Sequence, residues 1–132
     1  MLAKILNVYT DGSFNGQTAS WAFIVIENDK PIFQNKGTLS GDINKMWQIG
    51  GEIKAAENAV LWAARNDCQL VINYDYLGVE YWATGKWRAK NEHTKAYKSF
   101  MEQNSKYIKG WNKVLAHSGV KWNEACDSLA KI

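Results

Sequence analysis

A chain of 132 residues suits one domain spanning positions 1–132, and 46% hydrophobic residues with one proline exclude a disordered or low-complexity polymer. No apolar run reaches the roughly 18 residues of a membrane helix, and the short alternating N-terminus lacks a leader's cleavage site, so neither a membrane partner nor secretion is expected. The net charge of +3 is uneven: residues 1–85 carry six basic and nine acidic side chains, residues 86–116 eight basic and two acidic, which suggests a polyanionic partner.

Residues 4–10 alternate as a strand that is expected to stop at the turn cluster Asp11-Gly12-Ser13. Residues 19–27 and 32–39 read as two further strands around the turn Asn28-Asp29-Lys30-Pro31, giving an antiparallel meander. A helical period then runs from Trp47 or Glu52 to Arg65. The apolar run 69–74 reads as a strand buried on both faces, followed by a short helix from Asp75 to Thr84. A further helix is expected over 93–108, a fifth strand over 111–116 and a last helix over 123–131. A strand that follows a crossover helix runs parallel to its neighbour, so the fold class is α/β: a five-stranded mixed sheet, three antiparallel strands then parallel ones, flanked by helices. Cys68 and Cys126 have neither metal-site nor disulfide spacing, which fits a reduced, cytoplasmic setting.

Two acids stand at strand ends, Asp11 after the first strand and Asp75 after the fourth. On neighbouring parallel strands both would project from one carboxyl edge, where open α/β sheets bind ligands. Capping the next helix is the alternative role for Asp75. At 100° per residue, Ala55, Ala56, Ala59 and Ala63 fall within about 60° of Glu52, whereas Glu57 lies about 140° away and should face solvent. Glu52 therefore tops a small-residue stripe that must face the sheet, with no Lys or Arg on it as partner. A buried carboxylate needs one, and a cation would serve. Asp127 lies among small residues in the last helix. Acidic oxygen ligands without a Cys/His cluster select a hard cation, Mg²⁺ or Mn²⁺.

Tyr9-Thr10-Asp11-Gly12-Ser13, Gly50-Gly51-Glu52-Ile53-Lys54-Ala55-Ala56, Tyr74-Asp75-Tyr76 and Ala116-His117-Ser118-Gly119 with Asn123-Glu124-Ala125-Cys126-Asp127 resemble, in order and over the whole chain, the motifs of type 1 ribonuclease H. The resemblance implies a ribonuclease H-like fold and an endonuclease that hydrolyses the RNA strand of RNA–DNA hybrids by a two-metal-ion mechanism, leaving 5′-phosphate ends. It implies that Asp11, Glu52, Asp75 and Asp127 hold two Mg²⁺ ions, with Mn²⁺ able to substitute, and that His117 assists catalysis. Ser13, Asn15 and Gln48 are placed to read RNA 2′-hydroxyls, and Trp87, with the lysines near it, to line a groove for the DNA strand. Trp47-Gln48-Ile49-Gly50 departs from the commoner Asn- or Arg-bearing run. His93 has no comparable context and reads as a surface residue. The chain is expected to act as a monomer without an obligate protein partner. An inactive hybrid-binding module, a DNA-directed nuclease of the same superfamily, and a domain of a larger polyprotein are the alternatives. The first would ordinarily lack one of the four acids, and the intact His loop speaks against the second.

Overall fold

A computed structural model describes residues 4–115 and 120–132. Its strands are β1 (Lys4–Phe14), β2 (Ala19–Glu27), β3 (Lys30–Thr38), β4 (Cys68–Tyr74) and β5 (Ile108–Lys113). Its helices are α1 (Trp47–Arg65), α2 (Gly78–Thr84), α3 (Glu92–Gln103) and α4 (Lys121–Ala130), with 3₁₀ turns at Gly41–Met46 and Ser105–Tyr107. The sheet order is β3-β2-β1-β4-β5. The first three strands pair antiparallel, and β1, β4 and β5 run parallel, as the alternation of strand and helix requires.

Both faces of the sheet are covered. Phe23 and Val25 of β2 join Leu6, Val8, Leu70 and Ile72 in a core closed by Ile53, Ala56, Ala59, Val60 and Ala63 of α1. Ala22, Ile24 and Ile26, the alternate residues of β2, pack instead against Cys126 and Ala130 of α4. The doubly buried strand is thus β2. In β4, expected to be buried on both faces, Gln69 and Val71 are only half-buried, because α4 lies over β1 and β2. Asn73 joins the three parallel strands: its Nδ2 donates to Asn7 Oδ1 and the Val8 carbonyl, both at 3.1 Å, and its Oδ1 accepts from Asn112 Nδ2 at 2.7 Å.

Several boundaries differ from the sequence expectation. β1 does not stop at Asp11-Gly12-Ser13; pairing with β2 continues through Asp11↔Ala22 to Phe14↔Ala19. The reversal comes later, where Asn15 Oδ1 accepts the N–H groups of Gln17 and Thr18 and Gly16 takes φ 97°. The third helix ends at Gln103, not 108, because Asn104 turns its backbone N–H and its Nδ2 back onto the Phe100 carbonyl. β5 therefore starts at Ile108 instead of 111. The β2–β3 turn is a two-residue loop, Asn28-Asp29, with φ 53° and 58°; Asn and Asp tolerate that region better than other side chains do.

Candidate metal centre

β1 and β4 place the first two acids. Their parallel register sets Tyr9 opposite Asn73, so Asp11 and Asp75 each stand two residues beyond that last pair, at one edge of the sheet. Asp75 does not occupy the cap position of α2: that helix begins at Gly78 behind Leu77. α1 brings Glu52. The expected stripe is real, since Ala55, Ala56, Ala59 and Ala63 are all fully buried. Glu57 is less exposed than its angle suggests, because Lys54 Nζ folds over it at 3.0 Å. Carboxylate oxygens of Asp11, Glu52 and Asp75 lie within 4.8 Å of one another, a group able to hold a divalent cation.

Two glycines allow this approach. A Cβ on Gly12 would stand 2.4 Å from the Glu52 nitrogen, and one on Gly51 would stand 2.0 Å from the Ser20 carbonyl oxygen. With neither present, the first turn of α1 lies against β1 and β2, and the Gly12 N–H donates to Asp11 Oδ1 at 2.9 Å and to Glu52 Oε1 at 3.2 Å. Asp127 is set from the other face by α4. The preceding Cys126 thiol donates to the carbonyls of Tyr9 and Ala22, anchoring the helix on the sheet. Asp127 stands just outside the three-acid group. Its interaction with Asp11 raises that group's pKa, and Lys131 Nζ lies 3.3 Å from its carboxylate.

The cluster is electrostatically loaded. Asp11 and Glu52 are 3% and 4% exposed. Burial above all pushes Asp11 up to about 7, with the hydrogen bond from Glu52 opposing it and the charge of Asp75 adding to it. Glu52 is raised well above the usual carboxylate range by burial, then by its hydrogen bond with Asp11 and the charges of Asp11 and Asp75. Among the described residues Glu52 Oε2 is buried with no hydrogen-bond partner. An unpaired acceptor beside two further acids suits a hard cation: three carboxylates converge, and one of them carries an oxygen with no partner among the described residues.

The structure also places the expected substrate contacts. Ser13 is half-buried near the end of β1, and Gln48 is exposed in the first turn of α1. Asn15 is exposed, but its carbonyl oxygen serves the β1–β2 turn, which leaves its amide NH₂ as the available donor. Trp87 packs edge-on against Tyr76, Tyr81 and Trp82. It lines an open groove of about 500 Å³ with Trp82, Lys86, Arg88, Lys90, Asn91 and Thr94. His117 lies outside the described residues.

Other residues carry the site without having been evident in the sequence. Asn44 accepts the Ala19 N–H on Oδ1 at 2.6 Å and donates to the Gln17 carbonyl at 2.8 Å, fastening the 3₁₀ turn to the β1–β2 loop. His93 Nε2 lies 2.8 Å from Asp42 Oδ2, tying α3 to the same turn. Trp47 has φ 57°, a conformation that costs a bulky residue about 1–3 kcal/mol. Only the glycines had a visible signal, since a glycine inside a strand or helix often marks close backbone approach.

The RNase H family profile matches residues 3–132. Ribonuclease H of a Cyanothece species is 27% identical over 144 aligned positions, covering 99% of this chain and 90% of that protein. Ribonuclease H of a Wolbachia strain from Drosophila simulans is 29% identical, with 99% and 96% covered. Among solved structures, RNase H1 of Halobacterium salinarum superposes with a TM-score of 0.76 at 18% identity over 96% of this chain and 94% of its own. LC11-RNase H1 in complex with an RNA/DNA hybrid gives 0.66 at 13% identity, with 94% and 98% covered. At those identities the structures show the shared fold, while the profile spans nearly every residue: this chain belongs to the RNase H family.

Proposed function

We propose that this nuclease of the RNase H family hydrolyses the RNA strand of RNA–DNA hybrids, cutting internally and leaving 5′-phosphate ends. Asp11, Glu52, Asp75 and Asp127 would hold two Mg²⁺ ions, for which Mn²⁺ would substitute. The observation that carries this reading is the convergence of Asp11, Glu52 and Asp75 within 4.8 Å, with Glu52 Oε2 buried and unpartnered among the described residues. Divalent cations held there supply Lewis-acid stabilisation of the attacking and leaving oxygens in a phosphodiester displacement.

The side chains do the rest. Asp11 and Glu52 would bind the ions as carboxylates, held in place by the Gly12 N–H. His117 is assigned proton transfer beside the acids. Ser13, Gln48 and the amide of Asn15 pair with 2′-hydroxyls, which DNA lacks. Lys86, Arg88 and Lys90, grouped around Trp87, hold the DNA strand through its phosphates, without base readout. The names of the curated relatives, and the hybrid bound to one structural neighbour, support this substrate. The chain works as a single-domain monomer, and its two free buried thiols support a reducing, cytoplasmic setting.

The test is cleavage by the purified chain of labelled hybrid, duplex DNA and single-stranded RNA, with and without Mg²⁺. Hybrid alone should be cut, and only with the ion. Cutting of duplex DNA at a comparable rate, or ion-independent cutting, would contradict the proposal.

A further inference from the structure

Beside the carboxylates lies an aromatic pair to which the reading above gives no task. Phe14 ends β1 three residues after Asp11, and Trp47 opens α1 five residues before Glu52. Their rings are stacked, with centroids 5.7 Å apart and planes 21° from parallel. Trp47 is 58% exposed, and its backbone sits at φ 57°, in the region that favours glycine. A large apolar ring held in a strained conformation and kept out of the core does little for folding. Such a residue calls for a different account.

The pair is rigidly referenced to the metal centre. Gly12 lets β1 abut the start of α1, so that a Cβ there would meet the Glu52 nitrogen and the Gln48 carbonyl oxygen at 2.4 and 2.5 Å. Asn44 locks the turn before Trp47 onto the loop after Phe14. Five residues along a helix amount to about 7.5 Å, which puts the ring pair within the span of a duplex that has one phosphodiester at the acids.

The grooves of a duplex differ in what they admit. An A-form-like duplex has a wide, shallow minor groove and a deep, narrow major groove. The minor groove of B-DNA is only about 6 Å wide. Two rings with centroids 5.7 Å apart, each with its own thickness, overfill that width but fit a wide, shallow groove.

We propose that the Phe14–Trp47 stack reads groove width: it lies against ribose faces in the open minor groove of a hybrid and is sterically refused by B-form DNA. This rests on the hybrid-nuclease reading above. It gives the chain a shape test for its substrate in addition to hydrogen bonds with 2′-hydroxyls. The contact neutralises no phosphate, so its contribution is independent of salt.

The experiment is steady-state kinetics of the full chain with Trp47→Ala, Trp47→Tyr and Phe14→Ala, on hybrid substrate at several salt concentrations, with duplex DNA as competitor. Trp47→Ala should raise the KM for hybrid about tenfold, in the range of a lost aromatic contact to nucleic acid, and leave kcat within about twofold. Duplex DNA should compete about tenfold better relative to hybrid, the slope of log KM against log salt should not change, and Trp47→Tyr should restore most of the loss. If circular dichroism shows Trp47→Ala unfolded, Phe14→Ala must give the same KM and competition shifts. Unchanged KM and competition in the folded variants, or a Trp47→Tyr variant no better than Trp47→Ala, would overturn the proposal. A wild-type chain that leaves hybrids intact would instead overturn the nuclease reading on which it rests.

Discussion

Replacing Asp11 with Asn removes a charge from a cluster that is short of counterions. In the ion-free protein Asp11 titrates at about 7, against an ordinary value of 3.8. Its folded pKa thus lies above its unfolded one, so the folded state is favoured by protonation. The contribution of this group to stability is full below about pH 4, is lost as pH rises toward 7, and stays absent above it. At pH 8 the gap between the two values corresponds to a ceiling of about 4 kcal/mol held against folding. Asn at position 11 keeps an oxygen for the Gly12 N–H and carries no charge. Part of the ceiling is lost with the Glu52 contact, which leaves a stabilisation of about 2–4 kcal/mol. With an unfolding entropy near 2.1 cal/mol/K per residue over 132 residues, Tm should rise by about 7–14 °C. Thermal melts in EDTA across pH 4 to 8 read this directly. The variant should lead at pH 8, the lead should shrink through pH 7 to 4, and saturating Mg²⁺ should narrow it at pH 8 by stabilising the wild type. A lead that is absent at pH 8, or equally large at pH 4, would refute the reasoning.

Gly12→Ala places a methyl group 2.4 Å from the Glu52 nitrogen, so α1 must shift; turnover should fall at least 100-fold and Tm should drop, read by kinetics and melts on the same sample. Asn73→Ala leaves Asn112 and Asn7 without their partner and should cost about 1–3 kcal/mol in urea unfolding, with KM for hybrid unchanged. His117→Ala should lower kcat about 100-fold without loss of fold; full activity across the pH range would make it a bystander.

Much of the site was legible because its constraints are local. Strand alternation located β1, the apolar run located β4, and the rule for parallel neighbours brought Asp11 and Asp75 to one edge. The alanine stripe orients Glu52 inward from periodicity alone. What escaped depends on tertiary pairing. β1 runs four residues past its expected end because β2 offers it a ladder, which no periodicity within residues 11–14 announces. The capping role considered for Asp75 gives way because α2 begins only at Gly78. The extra face of β2 shows only once α4 folds back from the far end of the chain. Trp47 reads in the sequence as an ordinary start to a helix, whereas in the fold it is exposed and has φ 57°.

The most direct test of the central claim is cleavage mapping on a hybrid whose RNA strand carries four consecutive deoxynucleotides, at saturating Mg²⁺. Cuts should fall throughout the RNA flanks with little sequence preference and be absent across the deoxy window, because the strand there offers no 2′-hydroxyl. Cutting through the window at an undiminished rate would contradict RNA-strand recognition and make the chain a nuclease of DNA.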